Sequence, residues 1–461
     1  MKINWKKLKA LNPPRYKYCL PCSLFILACL KFAIPDHSAA QPGQVLELDQ
    51  AIKIGLENNF GIKLSRTSVE VAENNKTLGN AGFLPALTGT AARTERFSET
   101  IETETEVSQS LIEGATTTIT NTDVSLSWTL FDGLRMFAAW DRLNELEELS
   151  KTELRLQMEQ TVSDIIVLYY NVAALQKQVD ILRNSVDVSL EREEITETEL
   201  DLGSGSKFDL LQARTDLNSD RAAVLRELNN LVQAKTLLNE ILARDLETEF
   251  EATDDIAINR SLVGNEILQK ILSDNTELAI ARLEESVARQ EVKEVKSERY
   301  PNLVFDSGYS FNKNESTGGF TTFFKTTGFR AGLTARLNFF NGFNTNRRID
   351  EAKLNVKTAQ LQREELRLRI MSNFNVIYNT YLNSIDLVDL ERENLGNAEE
   401  TLDIALERFR LGTISSLELR ESQRTFLSAE SRLIQAEFEA KQSETELLRL
   451  SGMLQDLTIG K

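Results

Sequence analysis

Residues 123–133 read DVSLSWTLFDG and residues 329–342 read FRAGLTARLNFFNG, and these two stretches decide the fold. In both, apolar and polar side chains alternate for about ten residues before a Phe-Asx-Gly turn. This is the length and period of a β-strand that crosses a membrane with its apolar side chains toward lipid. A half-buried strand of a soluble sheet has the same period. The lipid-facing interpretation is favoured because a secretory leader precedes both stretches.

The leader is predicted to be a signal peptide at 1–40. Six Lys and Arg residues precede an apolar stretch at 19–30 and small residues follow it, so cleavage after Ala40 is expected. A lipoprotein leader is the alternative, because residues 26–29, ILAC, resemble a lipobox and would leave Cys29 lipidated. No later apolar run reaches about 18 residues, the length that a membrane-spanning helix needs.

Composition excludes several classes of function. All three cysteines and the single histidine lie in the leader, which excludes Cys/His metal sites, thiol chemistry and histidine-based catalysis from the rest of the chain. No cofactor is expected, and no nucleophile motif indicates an enzyme. The formal net charge is −17, and removal of the leader, with seven basic residues and one acidic residue, leaves −23. So acidic a chain is not expected to bind nucleic acid.

The chain after the leader repeats itself once. Leu202 to Ser204 matches Leu411 to Thr413 at a shift of 209 residues, as do the two Phe-Asx-Gly turns. Pro85 matches Pro301 at a shift of 216 residues, so the first copy has seven extra residues between its proline and its turn. Two copies of one unit are therefore predicted.

Each copy is predicted to contain the same elements in the same order. The first copy, 41–246, comprises a helix at 49–80, a strand hairpin at 83–131, a long helix at 134–200, a tip turn at 202–207 and a return helix at 208–246. The second copy, 263–452, comprises a helix at 263–299, a hairpin at 301–340, a long helix at 343–410, a tip turn at 411–416 and a return helix at 417–452. An equatorial linker at 247–262 joins them, a tail at 453–461 follows, and polar segments at 97–121 and 312–327 are predicted to be exposed loops.

The helices of each copy are expected to lie side by side. Apolar residues recur at steps of 3, 4 or 7 in the long helices and at strict sevens in the return helices, which is typical of a coiled-coil seam. The 215 residues between Pro85 and Pro301 contain no proline. The opening and return helices, about 48 and 58 Å long, nearly add up to the long helix at about 100 Å, so we expect them to stack end to end beside it.

The predicted strands require several copies of the chain. Four strands leave open edges, whose unpaired N–H and C=O groups would each cost several kcal/mol in hydrocarbon. Closure needs at least eight strands, so two copies are the minimum and three would give twelve. A periplasmic coiled-coil tether without a pore is the alternative class of function, and it would need no alternating strands.

Five short motifs carry a family resemblance through their order and spacing. They are Phe83-Leu84-Pro85, Arg299-Tyr300-Pro301, Phe131-Asp132-Gly133, Phe340-Asn341-Gly342 and Leu411-Gly412-Thr413. Together they resemble the TolC family of outer-membrane efflux ducts over essentially the whole mature chain. The resemblance implies a mainly α homotrimer in the cell outer membrane, with long antiparallel helical hairpins forming a periplasmic α-barrel that continues into a shared twelve-stranded β-barrel, four strands per chain.

The resemblance also implies a function. Such a duct conducts substrates passively to the exterior, and its helical tips dock to a periplasmic adaptor protein and an inner-membrane pump. Tripartite efflux and type I secretion both use ducts of this kind. Drugs, metals and polypeptides are therefore all possible cargoes, and the sequence does not distinguish between them.

Charged residues near the second tip are candidates for a periplasmic gate. Asp403, Glu407 and Arg410 share one helix face at spacings of 4 and 3. The resemblance implies that acidic residues here ring the closed entrance, and Asp403 matches that place. Glu194 and Asp201 are the counterparts of Asp403 and Arg410 in the first copy. A latch between Arg410 and Asp201 is expected, and solvated surface charges are the alternative.

The tip turns are candidates for adaptor docking, and one tryptophan is a candidate for the membrane interface. The docking candidates are Leu202, Gly203, Ser204, Gly205, Leu411, Gly412 and Thr413. The alternative is that a glycine-bearing turn only joins two helices. Trp128 lies on a predicted strand and fits an aromatic belt, with core packing as its alternative.

Overall fold

The computed structural model describes residues 45–105, 108–253, 255–318 and 322–454. The predicted signal peptide, the cleavage after Ala40, the alternative lipidation of Cys29 and most of the predicted tail lie outside these residues. Within them the chain is mainly helical with two small sheets, which confirms the fold class expected from the sequence.

The two copies follow the same order of elements. The first contains β1 (Val45–Leu46), α1 (Leu48–Asn58), α2 (Phe60–Asn75), β2 (Ala86–Thr105), β3 (Ser108–Phe131), α3 (Arg135–Asp201) and α4 (Lys207–Ile241). The second contains β4 (Glu251–Ala252), α5 (Gly264–Asp274), α6 (Thr276–Lys296), β5 (Asn302–Ser316), β6 (Phe323–Arg336), α7 (Asn344–Arg410) and α8 (Ser416–Leu450). The two long helices have 67 residues each and the two return helices have 35 each.

An asparagine divides each opening helix in two, which corrects the single helices predicted at 49–80 and 263–299. Its side chain caps the helix that follows and also donates to the last turn of the return helix. The contacts join Asn59 Oδ1 to Ile62 N (3.2 Å), Asn59 Nδ2 to Ile241 O (2.9 Å), Asn275 Oδ1 to Leu278 N (2.9 Å) and Asn275 Nδ2 to Leu450 O (2.9 Å). The opening and return helices therefore meet end to end beside the long helix.

The four longer strands form one antiparallel sheet in the order β2-β3-β5-β6. Strands occupy most of the segments predicted as loops at 97–121 and 312–327, so that prediction was wrong. The polar composition of 97–121 indicated a loop, but residues 116–120, TTTIT, pair with β2, and Thr117 to Thr120 also pair with β5. Threonine is β-branched and suits a strand despite its hydroxyl group.

One face of this sheet is apolar and uncovered. Leu87, Phe329 and Leu333 are 71%, 72% and 64% exposed on this face. On the opposite face, Ser125, Gly308 and Arg330 lie in register across three strands. A half-buried strand of a soluble sheet would bury its apolar side chains, so the exposure favours the lipid-facing interpretation.

The long helix α3 carries much of the helical core. Four residues in the middle of its predicted seam, Val162, Ile165, Tyr169 and Val172, are all 0% exposed. It contacts α2 and α4 of its own copy and α6 and α8 of the second copy. The Tyr169 hydroxyl donates to the carbonyl of Leu46 at 2.8 Å, which ties the short parallel pair β1–β4 to the core.

Candidate functional site

The two tip turns are well-formed caps. Gly203 and Gly412 adopt left-handed φ angles of 79° and 65°, which glycine tolerates and which let the chain reverse after each long helix. The Ser206 hydroxyl then accepts a hydrogen bond from Phe208 N at 3.1 Å, and Ser415 forms a capping box with Glu418. Both turns therefore hold their neighbouring side chains in defined positions.

Each tip exposes a pair of large apolar side chains. Leu202 and Phe208 flank the first turn and are 78% and 72% exposed, and Leu411 and Leu417 flank the second and are 74% and 76% exposed. Phe208 and Leu417 are absent from the docking residues predicted from the sequence. Their match at the shift of 209 residues is the signal that would have identified them. Paired apolar groups at an exposed end are typical of an interaction surface.

Arg410 pairs with Glu191 of α3, so the predicted latch with Asp201 was wrong. Arg410 Nε lies 2.6 Å from Glu191 Oε1 and its Nη2 lies 3.0 Å from Glu191 Oε2, while Nη1 contacts Glu407 at 2.6 Å. Hydrogen bonds to Glu191 and then Glu407 raise the pKa of Arg410 above its usual value. The pair joins the second copy to the first.

The two tips are staggered, which is why the predicted latch fails. Glu191 precedes Asp201 by ten residues, or roughly 15 Å along α3. Equivalence within a repeat gives each residue a counterpart in the other copy, but it does not show which residues touch. The second tip lies beside α3 well before that helix ends.

The remaining gate candidates are open to solvent. Asp403, Glu194 and Asp201 are exposed, and among the described residues their carboxylates have no hydrogen bond or ion pair. Their charges are therefore available to ions or to other chains.

A buried polar network links α3 and α4 of the first copy to α8 of the second. Arg420 binds Asp220 through both terminal nitrogens, at 2.6 and 2.8 Å. Further contacts are Ser189 Oγ to Asp220 Oδ2 (2.5 Å), Gln423 Nε2 to Ser185 O (2.8 Å) and to Ser189 Oγ (2.9 Å), and Arg192 Nη2 to Asp216 Oδ2 (2.6 Å). This network was not predicted from the sequence, although polar residues replace the apolar seam of α3 beyond Val186.

Glu430 on α8 gives the protein a pH-dependent stability. Burial, with a smaller contribution from repulsion by Glu399, raises the pKa of Glu430 to about 7 from a usual value of 4.5. Its Oε2 has no hydrogen-bond partner among the described residues. Because the folded chain holds this proton more tightly, its contribution to stability is fully present below about pH 4.5 and is lost as the pH rises through about 7.

We expect Glu430→Gln to remove this loss. At pH 8 the variant should be more stable than the parent by roughly 1 kcal/mol, a value reduced for partial solvent screening, and at pH 4 the two should be similar. Urea unfolding at both pH values measures the difference. Glu421→Gln, at an exposed position of the same helix, is the control and should keep the parent's pH dependence, because it retains Glu430. Equal pH dependence of parent and Glu430→Gln would contradict this account.

Aromatic residues gather where the sheet meets the helices. Trp128 is 41% exposed on the apolar face, and its indole N–H donates to the Phe83 carbonyl at 2.9 Å. Near the end of β6, Phe339, Phe340 and Phe343 are 90%, 71% and 70% exposed. Of these residues, only Trp128 was predicted from the sequence to lie at the membrane interface. Exposed aromatic side chains at one level are typical of a membrane interface.

No helix in the described ranges is both long and apolar enough to cross a membrane. In the same ranges, no group of three or more His, Cys, Asp or Glu side chains is arranged to hold a metal ion.

Comparisons with known proteins agree with this geometry. The family model described as outer membrane efflux protein matches residues 51–244 and 267–453, one segment in each copy. The chain is 20% identical to the outer membrane protein TolC of Vibrio cholerae over 291 residues, which cover 62% of this chain and 66% of that protein. It is 20% identical to the alkaline protease secretion protein AprF of Pseudomonas aeruginosa over 415 residues, which cover 87% and 84%.

Among solved structures, the outer-membrane channel OprN superposes with a TM-score of 0.72 at 17% sequence identity, and the match covers 88% of this chain and 89% of that one. This likeness establishes the fold. The family match takes up more than half of the chain and divides at the boundary between the copies. The chain therefore belongs to the outer membrane efflux protein family, and it is an outer-membrane channel of the efflux type.

Proposed function

We propose that three copies of this chain form a duct that conducts substrates passively from the periplasm to the exterior. The observation that carries the proposal is the four-stranded sheet with an uncovered apolar face and two outer strands, β2 and β6. In lipid these edges must be paired, because unpaired backbone groups cost several kcal/mol each. Sister copies supply the missing partners.

The sheet topology suits closure by identical copies. All three strand pairs are antiparallel, so β2 runs away from the helices and β6 runs back toward them. Joining β6 of one copy to β2 of the next keeps the antiparallel order, and three copies give twelve strands. The apolar face would then meet lipid and the polar face would line the lumen.

Exposed helix faces support the same arrangement. Leu354, Leu361 and Leu368 recur at intervals of seven on α7 and are 63%, 61% and 70% exposed. On α2, Phe60 and Leu64 are 69% and 70% exposed. Helix α7 follows the outer strand β6, and α2 precedes the outer strand β2. Pairing of the sheet edges would therefore bring these two apolar surfaces together, as in a coiled-coil seam.

The tips are the proposed docking site for a periplasmic adaptor protein, which would link the duct to an inner-membrane pump. The support is the pair of exposed apolar side chains at each tip, with Leu202 in the first and Leu411 in the second. Cysteines placed at Ser204 and Thr413 should cross-link to a co-expressed adaptor. Cysteines at exposed positions halfway along the helices are the control, and equal cross-linking from those positions would contradict tip docking.

Asp403 is the proposed gate residue. Three copies would bring three unpaired Asp403 carboxylates to the periplasmic entrance, where they would concentrate cations. We expect Asp403→Ala to weaken block of single-channel current by Mg²⁺ about tenfold, because it removes the shared charge. Glu365→Ala, at an exposed position on the same helix but far from the tip, is the control. Unchanged block in Asp403→Ala would remove Asp403 from the gate.

Single-channel recording tests the duct itself. Purified protein added to a planar lipid bilayer should give stable ion-conducting steps of one principal size. A periplasmic coiled-coil tether without a pore would give none, and its oligomer would be extracted without detergent. We propose no catalytic activity. The relatives' names point to different cargoes, such as the alkaline protease secreted with AprF, so cargo is assigned only by copurifying the pump.

A further inference from the structure

A polar cleft of about 630 Å³ lies where the sheet meets the helices. Its strand residues Thr129, Asn302 and Arg336 lie on the polar face of the sheet, opposite the face that carries Trp128. Its other walls come from the beginnings of α3 and α7 and the end of α6. In the proposed trimer, the cleft of each copy would open toward the lumen.

Four arginines line the cleft, and two of them have no acidic partner. Arg142 pairs with Glu294 at 2.6 Å and Arg348 pairs with Glu298 at 2.5 Å, so both glutamates are neutralised. The other two arginines, Arg135 and Arg336, are exposed, and within the described part of the chain neither side chain forms a hydrogen bond or an ion pair.

One carboxylate in the cleft has no cationic partner. Asp132 Oδ2 accepts a hydrogen bond from Met136 N at 3.0 Å, in the first turn of α3, and its Oδ1 is buried with no hydrogen-bond partner among the described residues. The positive end of α3 offsets part of its charge. With the two ion pairs neutral, the two unpaired arginines outnumber this single acid, so the cleft is net positive.

Helix stability does not explain an arginine at the position of Arg135. The first turn of a helix favours acidic residues, because the backbone dipole makes that end positive. Helix α3 begins at Arg135, and neither α3 nor α7 has an acidic residue in its first turn. The surrounding chain carries a net charge of −17, so the basic cleft also departs from the overall charge. Such departures from local rules are typical of functional positions.

We propose that this cleft binds oxyanion groups, such as the carboxylates, phosphates or sulfonates of solutes in transit. Arg135 and Arg336 are the binding residues, because a planar guanidinium group donates two parallel hydrogen bonds to such a group. The inference rests on the proposed duct, in which three clefts would form a basic collar between the helices and the sheet. The duct would then favour anionic cargo at this level.

Isothermal titration of inorganic pyrophosphate into the full-length protein in detergent tests the cleft. We expect saturable binding by the parent protein, about tenfold weaker binding by Arg135→Gln or Arg336→Gln, and about hundredfold weaker binding by the double variant. Neither arginine side chain forms a hydrogen bond or an ion pair in the described part of the chain, so these variants are expected to fold. Arg347→Gln is the matched control, because Arg347 pairs with Glu351 at 2.8 Å and does not line the cleft.

The outcomes separate this inference from the proposed duct. No binding by the parent protein, or equal binding by the parent and the double variant, would overturn the oxyanion site. Bilayer recordings of the same samples report on the duct alone. If the protein conducts ions but does not bind pyrophosphate, only the proposed oxyanion site is wrong. If it binds pyrophosphate at the two arginines but never conducts ions, only the proposed duct is wrong.

Discussion

Gly133→Ala is expected to lower the free energy of unfolding by about 3–4 kcal/mol. Gly133 ends the corner between β3 and α3 with a φ of 73°, which costs an alanine about 1 kcal/mol. A Cβ atom there would also lie 2.4 Å from the backbone oxygen of Ser297 and 2.9 Å from Tyr300 Cβ. Backbone must move to relieve this clash, which adds about 2–3 kcal/mol.

The second copy provides a matched control for this corner. Gly342 has a φ of 65°, but a Cβ atom at Gly342 would meet nothing within 4 Å. Gly342→Ala should therefore cost only about 1 kcal/mol from backbone conformation. Denaturant unfolding in detergent, followed by far-ultraviolet circular dichroism, measures both variants. Equal losses at the two positions would show that the contact with Ser297 does not restrict this corner.

Arg420→Ala is expected to lower the free energy of unfolding by about 3–4 kcal/mol. Its removal would leave Asp220 without its cationic partner at a buried site joining the two copies. A buried carboxylate that loses its partner retains its desolvation cost and loses the compensating attraction. The Ser189 and Gln423 hydrogen bonds in the same network should weaken as well, because Ser189 donates to the same carboxylate.

Lys353→Ala is the control for this network. Lys353 pairs with Asp350 at 2.8 Å on α7, and both side chains are more than half exposed. Such an exposed surface pair contributes little to the free energy of unfolding, because water screens it. Urea unfolding should therefore separate the two variants clearly. A loss from Arg420→Ala as small as that from Lys353→Ala would mean that the network does not join the copies.

Regular patterns allowed much of the fold to be predicted from the sequence. The internal repeat and the mainly α class with a small sheet are confirmed. The alternation in DVSLSWTLFDG matches the two-residue period of a strand, and the steps of 3, 4 and 7 in the long helices match the period of a helix. Helix lengths also indicated end-to-end stacking, because rise per residue converts sequence length directly into distance.

Features that depend on single contacts were not predictable in this way. Asn59 and Asn275 break the opening helices through hydrogen bonds to the distant carbonyls of Ile241 and Leu450. The contact of Arg410 with Glu191 depends on the stagger between the copies, which no spacing within one copy specifies. The residues of the basic cleft come from six separate helices and strands, so only the folded chain brings Arg135 and Arg336 into one cleft.

Native mass spectrometry of the mature protein extracted in detergent tests the central claim most directly, because every proposed role depends on copies that join edge to edge. The account predicts particles of three chains that require detergent and contain no stable monomer. A monomer that stays soluble without detergent, with its apolar sheet face covered by its own helices, would contradict the duct and the gate and adaptor sites assigned to it.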